Sequence, residues 1–113
     1  MITIVMPGQI KESDWKLLSK LRTDALKRFC QRILSAIDSI NADHAMSAHQ
    51  RYLEIYQVIE RRDKEVAQIF NNHRRSTAFF ELAAIQSHGL LTPEEFLRFS
   101  QETRNAIGQV EQQ

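Results

Sequence analysis

A chain of 113 residues fits one compact domain and is too short for two cores of ordinary size. It is 42% hydrophobic and 26% charged, with only three Gly and two Pro, so turns are scarce and the elements between them long. Fifteen Lys and Arg against fourteen Asp and Glu leave a formal net charge of +1, which excludes any whole-chain demand for nucleic acid or an anionic membrane as partner.

Residues 2 to 6, Ile-Thr-Ile-Val-Met, favour a strand and stop at Pro7-Gly8, yet no second strand follows for them to pair with. Residues 1–8 therefore read as an extended apolar arm, docked on the helices or paired with the same segment of a second copy. This apolar run lacks a basic leader and is too short for a signal-peptide core or a membrane span, and a lone Cys30 cannot staple the chain to itself. A cytoplasmic protein with no membrane partner is the expectation.

Ser13 and Asp14 are suited to a helix start, and Trp15, Leu18, Leu26, Phe29, Ile33, Ile37 and Ile40 then recur at spacings of three and four and their sums. That periodicity predicts an amphipathic helix over 14–41. Asn41-Ala-Asp-His-Ala-Met-Ser47 interrupts it, and Ser47 followed by Gln50 has the form of a capping box opening a second helix, antiparallel to the first. The second helix covers 47–72 or runs on, continuous or kinked, to 88; the longer form is preferred because Asn71-Asn72 need not end a helix. Its apolar seam is Tyr52, Tyr56, Ile59, Asp63, Val66, Phe70 and His73, a heptad alternation. Residues 78–85, Ala-Phe-Phe-Glu-Leu-Ala-Ala-Ile, are apolar on nearly every side and predict the densest packing.

Gly89 stands where a helix C-terminal glycine belongs, Leu90 supplies the apolar contact after it, and Thr92-Pro93-Glu94-Glu95 is a capping box with Pro at the first helical position. A helix over 93–99 follows, then a short one over 101–107 capped by Ser100, and a polar tail over 108–113. With Leu82, Ile85, Gly89-Leu-Leu-Thr92 and Glu94-Glu95-Phe96, the stretch from Phe79 to Phe99 resembles the helix-glycine-helix segments called SHOCT domains. Leu97-Arg98-Phe99-Ser100 replaces the lysine-rich ending usual in that family. The resemblance covers about a fifth of the chain and implies self-association.

Residues that break the apolar pattern are the candidate site. Arg22 falls within the arc of Trp15, Leu26, Phe29 and Ile33, and Asp63 falls between Ile59 and Val66. With the turn centred near residue 44, the two come within about one helical turn of each other, so Arg22 and Asp63 are expected to form a buried, register-setting ion pair. His44 and His49 are five apart, a poor metal spacing, and the chain contains no Glu-x-x-His, phosphate loop or Gly-x-Ser-x-Gly turn, so neither cofactor, metal nor enzymatic activity is expected. Cys30 reads as a small apolar residue. Lys16, Lys20 and Lys27 share one stripe of the first helix, and Arg61, Arg62, Arg74 and Arg75 form a second basic group. These seven residues are the candidate contacts for nucleic acid or an anionic partner.

The fold expected is all-α, a long antiparallel helical hairpin with short C-terminal helices in a dimeric bundle. The function expected is protein–protein interaction or regulation as a homo-oligomer, with a nucleic-acid-binding module as the alternative.

Overall fold

The computed structural model describes the backbone of residues 8–111 and the side chains of residues 8–108. Apart from Gly8, the arm expected over 1–8 lies outside the described residues. The described residues form five α-helices and no strand: α1 (Glu12–Asn41), α2 (Ala48–Phe70), α3 (Ala78–Ser87), α4 (Pro93–Leu97) and α5 (Gln101–Glu111), with a 3-10 turn at Arg75–Thr77 before α3. None of these helices is long and apolar enough to cross a membrane.

Helix α1 begins at an extended Lys11 without a side-chain cap. Asp14 does not cap it, as the sequence suggested; it lies inside the first turns and is turned into the core. Helix α2 begins where expected, with the Ser47 hydroxyl accepting from the Gln50 amide at 3.1 Å, but the Gln50 side chain makes no return bond, so the capping box is only half formed. Between them, the Asp43 carboxylate accepts from the Ala45 amide and tightens the loop. The antiparallel sense follows from three contacts along the hairpin: Arg51 donates to the Asn41 carbonyl at 2.8 Å, the Arg62 guanidinium lies 5.9 Å from the Phe29 ring centre, and Arg22 donates to the Phe70 carbonyl.

Helix α2 stops at Phe70 rather than continuing to 88. The extended backbone of Arg74 breaks the helix, and the Thr77 hydroxyl, within reach of the carbonyls of Asn72 and Arg74, closes the turn that follows. The reversal has a packing cause. It lets α3 run back alongside α1, with Arg75 beside Glu12, Glu81 beside Arg22, and His88 beside Arg32. Phe79, Leu82 and Ile85 are thereby buried, while Phe80 of the same run is 60% exposed, contrary to the all-round burial expected there.

The end of α3 and the start of α4 follow the sequence closely. Gly89 has φ 66°, the Leu90 amide reaches the Ile85 carbonyl, and the Gly89 amide reaches that of Gln86, which together make a Schellman turn. Thr92 and Glu95 form the reciprocal capping box with Pro93 at the helix start. Helix α5 is longer than expected, running to Glu111 instead of ending near 107.

The core sits at one end of the hairpin. Leu18, Leu21, Ala25 and Phe29 of α1 meet Ile69 and Phe70 of α2, Phe79, Leu82 and Ile85 of α3, and Leu90, Phe99, Ala106 and Ile107. Each large apolar side chain removed from water there contributes roughly 1.5–3 kcal/mol. Beyond Phe29 in α1 and before Ile69 in α2, neither helix contains a buried residue.

Candidate functional site

Arg22 does not meet Asp63. The hairpin register sets Arg22 level with Phe70, and Asp63 lies seven residues earlier, about 10 Å away along the helix. The rotation of α2 also differs from the sequence reading: Arg51, Ile55, Val58, Arg62 and Ile69 form the flank that loses solvent, leaving Asp63 exposed. Successive helix residues are about 100° apart, so a modest rotation turns Tyr52, Tyr56, Ile59 and Asp63 of the expected seam outward, while its last residues, Val66, Phe70 and His73, do pack inward.

The partner of Arg22 is Glu81. Its carboxylate is 2% exposed, with Oε2 3.5 Å from Arg22 Nε and Oε1 2.7 Å from His73 Nδ1. The Arg22 contact is an ion pair without a hydrogen bond at that oxygen, since neither Arg22 Nε nor Glu81 Oε2 has a hydrogen-bond partner. His73 lies in the α2–α3 connection, its ring stacked on Trp15 at 4.3 Å between centres, with Nε2 3.0 Å from the Ser19 hydroxyl. The two ring nitrogens of His73 bridge the Glu81 carboxylate and the Ser19 hydroxyl. A buried acid thus ties α1, the connection and α3 together.

Ser19, His73 and Glu81 stand in the order of a nucleophile, a base and an orienting acid. Such chemistry also needs donors converging on a developing oxyanion. Ser19 lies within α1, where its own amide belongs to the helix ladder, and Arg22 already claims the acid. What the contacts themselves do is join α1, the α2–α3 connection and α3.

A second buried acid anchors the C-terminal helix. Asp14 accepts from the Ser100 amide at 3.0 Å, the Ser100 hydroxyl at 2.6 Å and the Thr103 hydroxyl at 2.7 Å. Burial pushes the Asp14 carboxyl up, but these hydrogen bonds outweigh it and hold the group below its ordinary value. On the outer side of α1, Arg28 makes a two-pronged contact with Glu95 at 2.6 and 3.0 Å and also donates to the Leu90 carbonyl. Hydrogen bonding from Arg28 is the main reason that Glu95 drops to about 2.

The basic candidates divide. Lys16, Lys20, Lys27, Arg61 and Arg74 are exposed, whereas Arg62 is paired with Glu65 and Arg75 with Glu12, the latter also lying over Trp15. Cys30 is half-buried. At the far end of the hairpin the stripe read as a seam is open to solvent, Tyr52 being 64% exposed, Tyr56 56% and Ile59 49%, and Leu53 beside it is 43% exposed.

Sequence reasoning missed Glu81, His73, Ser19 and Asp14 as site residues. Glu81 did carry a signal, being the single charge in the apolar run 78–85 and therefore in need of a buried partner. Compared with protein-family models, with characterised proteins and with solved structures, the chain matches none.

Proposed function

We propose that the protein is a cytoplasmic helical interaction module that works as a homo-oligomer, joined through the far half of the α1–α2 hairpin. The observation that carries this reading is the contrast between the two ends of the hairpin. No side chain of α1 after Phe29, or of α2 before Ile69, is buried, yet that stretch of α2 presents two tyrosines, a leucine and an isoleucine to water. Large apolar side chains gathered on one face mark a surface that another protein covers. The radius of gyration is 17.3 Å, against about 13 Å for a compact chain of this length, because the hairpin projects beyond the core. The resemblance of residues 79–99 to SHOCT segments also points toward self-association, although Leu82, Ile85, Leu90 and Phe99 of that stretch are turned inward.

Light scattering tests the reading. The wild-type protein should have the mass of a dimer or a higher oligomer, and Tyr56→Glu with Ile59→Glu should lower it to that of one chain without loss of helical circular dichroism. A wild-type protein of single-chain mass would overturn it.

The alternative is a nucleic-acid-binding module, favoured by five exposed basic residues, Lys16, Lys20, Lys27, Arg61 and Arg74, that form no ion pair among the described residues. Its signature is salt-sensitive binding to DNA or RNA that Lys20→Glu with Lys27→Glu removes.

A further inference from the structure

Resting on that reading, we infer how two copies meet: α2 lies antiparallel against α2 of the second copy, with the two-fold axis passing at Tyr56. The flank containing Ile55, Val58 and Arg62 is occupied by α1, so α2 has one large face left. The large apolar residues of that face fall on one stripe, made of His49, Tyr52, Leu53, Tyr56, Ile59, Glu60 and Asp63, all seven exposed, with Gln50, Glu54, Gln57, Arg61 and Lys64 exposed beside it.

Their positions are symmetric about Tyr56. Leu53 and Ile59 lie three residues to either side, Tyr52 and Glu60 four, and His49 and Asp63 seven. Laid against its own reverse, the face therefore sets each residue opposite a chemically suitable one. Leu53 meets Ile59 of the second copy, an apolar pair. Tyr52 meets Glu60, so that a phenol hydroxyl can donate to a carboxylate. His49 meets Asp63, an imidazole N–H facing a carboxylate, and the two Tyr56 rings meet at the axis. Each of the first three pairs occurs twice, as a two-fold contact requires. The alternating spacing of three and four is that of helices packing side by side.

This pairing also gives Asp63 a role. A carboxylate in an apolar stripe finds no partner on α1, and it finds one at the end of a neighbouring α2. The choice of a second copy over a foreign protein rests on this self-complementarity of charge and shape. His49 already stacks on Tyr52 within one chain, at 6.5 Å between ring centres, so these two residues at one end of the face are held together.

Cross-linking in a Cys30→Ser background tests the axis. A residue on a two-fold axis faces its own copy, so Tyr56→Cys should form a disulfide-linked dimer on mild oxidation. His49→Cys should not link to itself, because its two copies lie about 20 Å apart along the helices. Charge gives an independent readout: Asp63→Lys should weaken the dimer about tenfold, and His49→Glu in the same chain should restore it. A wild-type dimer in which Tyr56→Cys fails to link, or in which His49→Cys links equally well, would overturn the axis and leave oligomerisation standing. A wild-type monomer would overturn both.

Discussion

Glu81 shows how much depends on one side chain whose partners are far apart in sequence. Its carboxylate is withdrawn from water on α3, its balancing cation comes from α1, and its hydrogen bond comes from the α2–α3 connection. A buried ion is expensive to leave unpaired, whereas an ion pair replaced whole by apolar residues of similar size costs far less. Arg22→Met alone should therefore destabilise the protein by about 2–3 kcal/mol, and Glu81→Leu by a similar amount, while the double variant should lose clearly less than the sum. Urea unfolding of the four proteins measures this coupling, and additive losses would show that the two side chains act separately. The sequence made Arg22 recognisable as a charge turned toward the core because its arc on α1 is apolar, although its side chain stays 26% exposed. The identity of its partner depends on the rotation of α2 and on the reversal after Phe70, and neither is a local property. Tyr52, Tyr56 and Ile59 make one apolar stripe and Ile55, Val58 and Ile69 another, so hydropathy alone fits both orientations.

At the scale of the helices, one device recurs. Helices α1, α2 and α3 have no basic residue in their last turn. Their unpaired carbonyls are served by arginines from elsewhere: Arg51 for the end of α1, Arg22 for that of α2, and Arg32 for His88 and Gly89 after α3, at 2.6 and 2.7 Å. A guanidinium there both satisfies acceptors and complements the negative end of the helix. Arg22 and Arg32 of α1 are thus used internally, whereas Lys16, Lys20 and Lys27 of the same helix face water. The start of α2 and the turn into α4 were legible because Ser47–Gln50, Gly89 and Thr92–Glu95 act within a few residues of themselves. Gly89 supports a direct test. Its φ of 66° lies in the left-handed region, while a Cβ there would come no nearer than 3.7 Å to Arg32. The cost of Gly89→Ala is therefore backbone strain, about 1 kcal/mol, which should lower the thermal midpoint by roughly 4 °C or more. An unchanged midpoint would mean that the Schellman turn contributes nothing.

Considered whole, the molecule has a sealed end and an open end, and its response to acid belongs to the sealed one. Asp14 and Glu95 both release their protons more readily in the folded chain than at their ordinary values of 3.8 and 4.5. The unfolded chain therefore binds protons first as the pH drops. Stability from these two groups is complete above about 4.5 and is lost as the pH falls through that range toward about 2, the folded value for Glu95. Thermal midpoints measured from pH 6 to pH 2.5 should fall across this window, and Glu95→Gln should start lower and fall less steeply. Parallel curves for the two proteins would remove Glu95 as a source of the acid sensitivity.

The tie between Asp14 and Ser100 spans 86 positions. A ribosome therefore delivers the two halves of this joint well apart in time. Leu18, Leu21 and Phe29 emerge long before Phe99 and Ile107, which complete the cover over that core. Until α5 follows, the nascent chain has a hairpin whose inner surface is unfinished, and it must be kept from neighbouring chains.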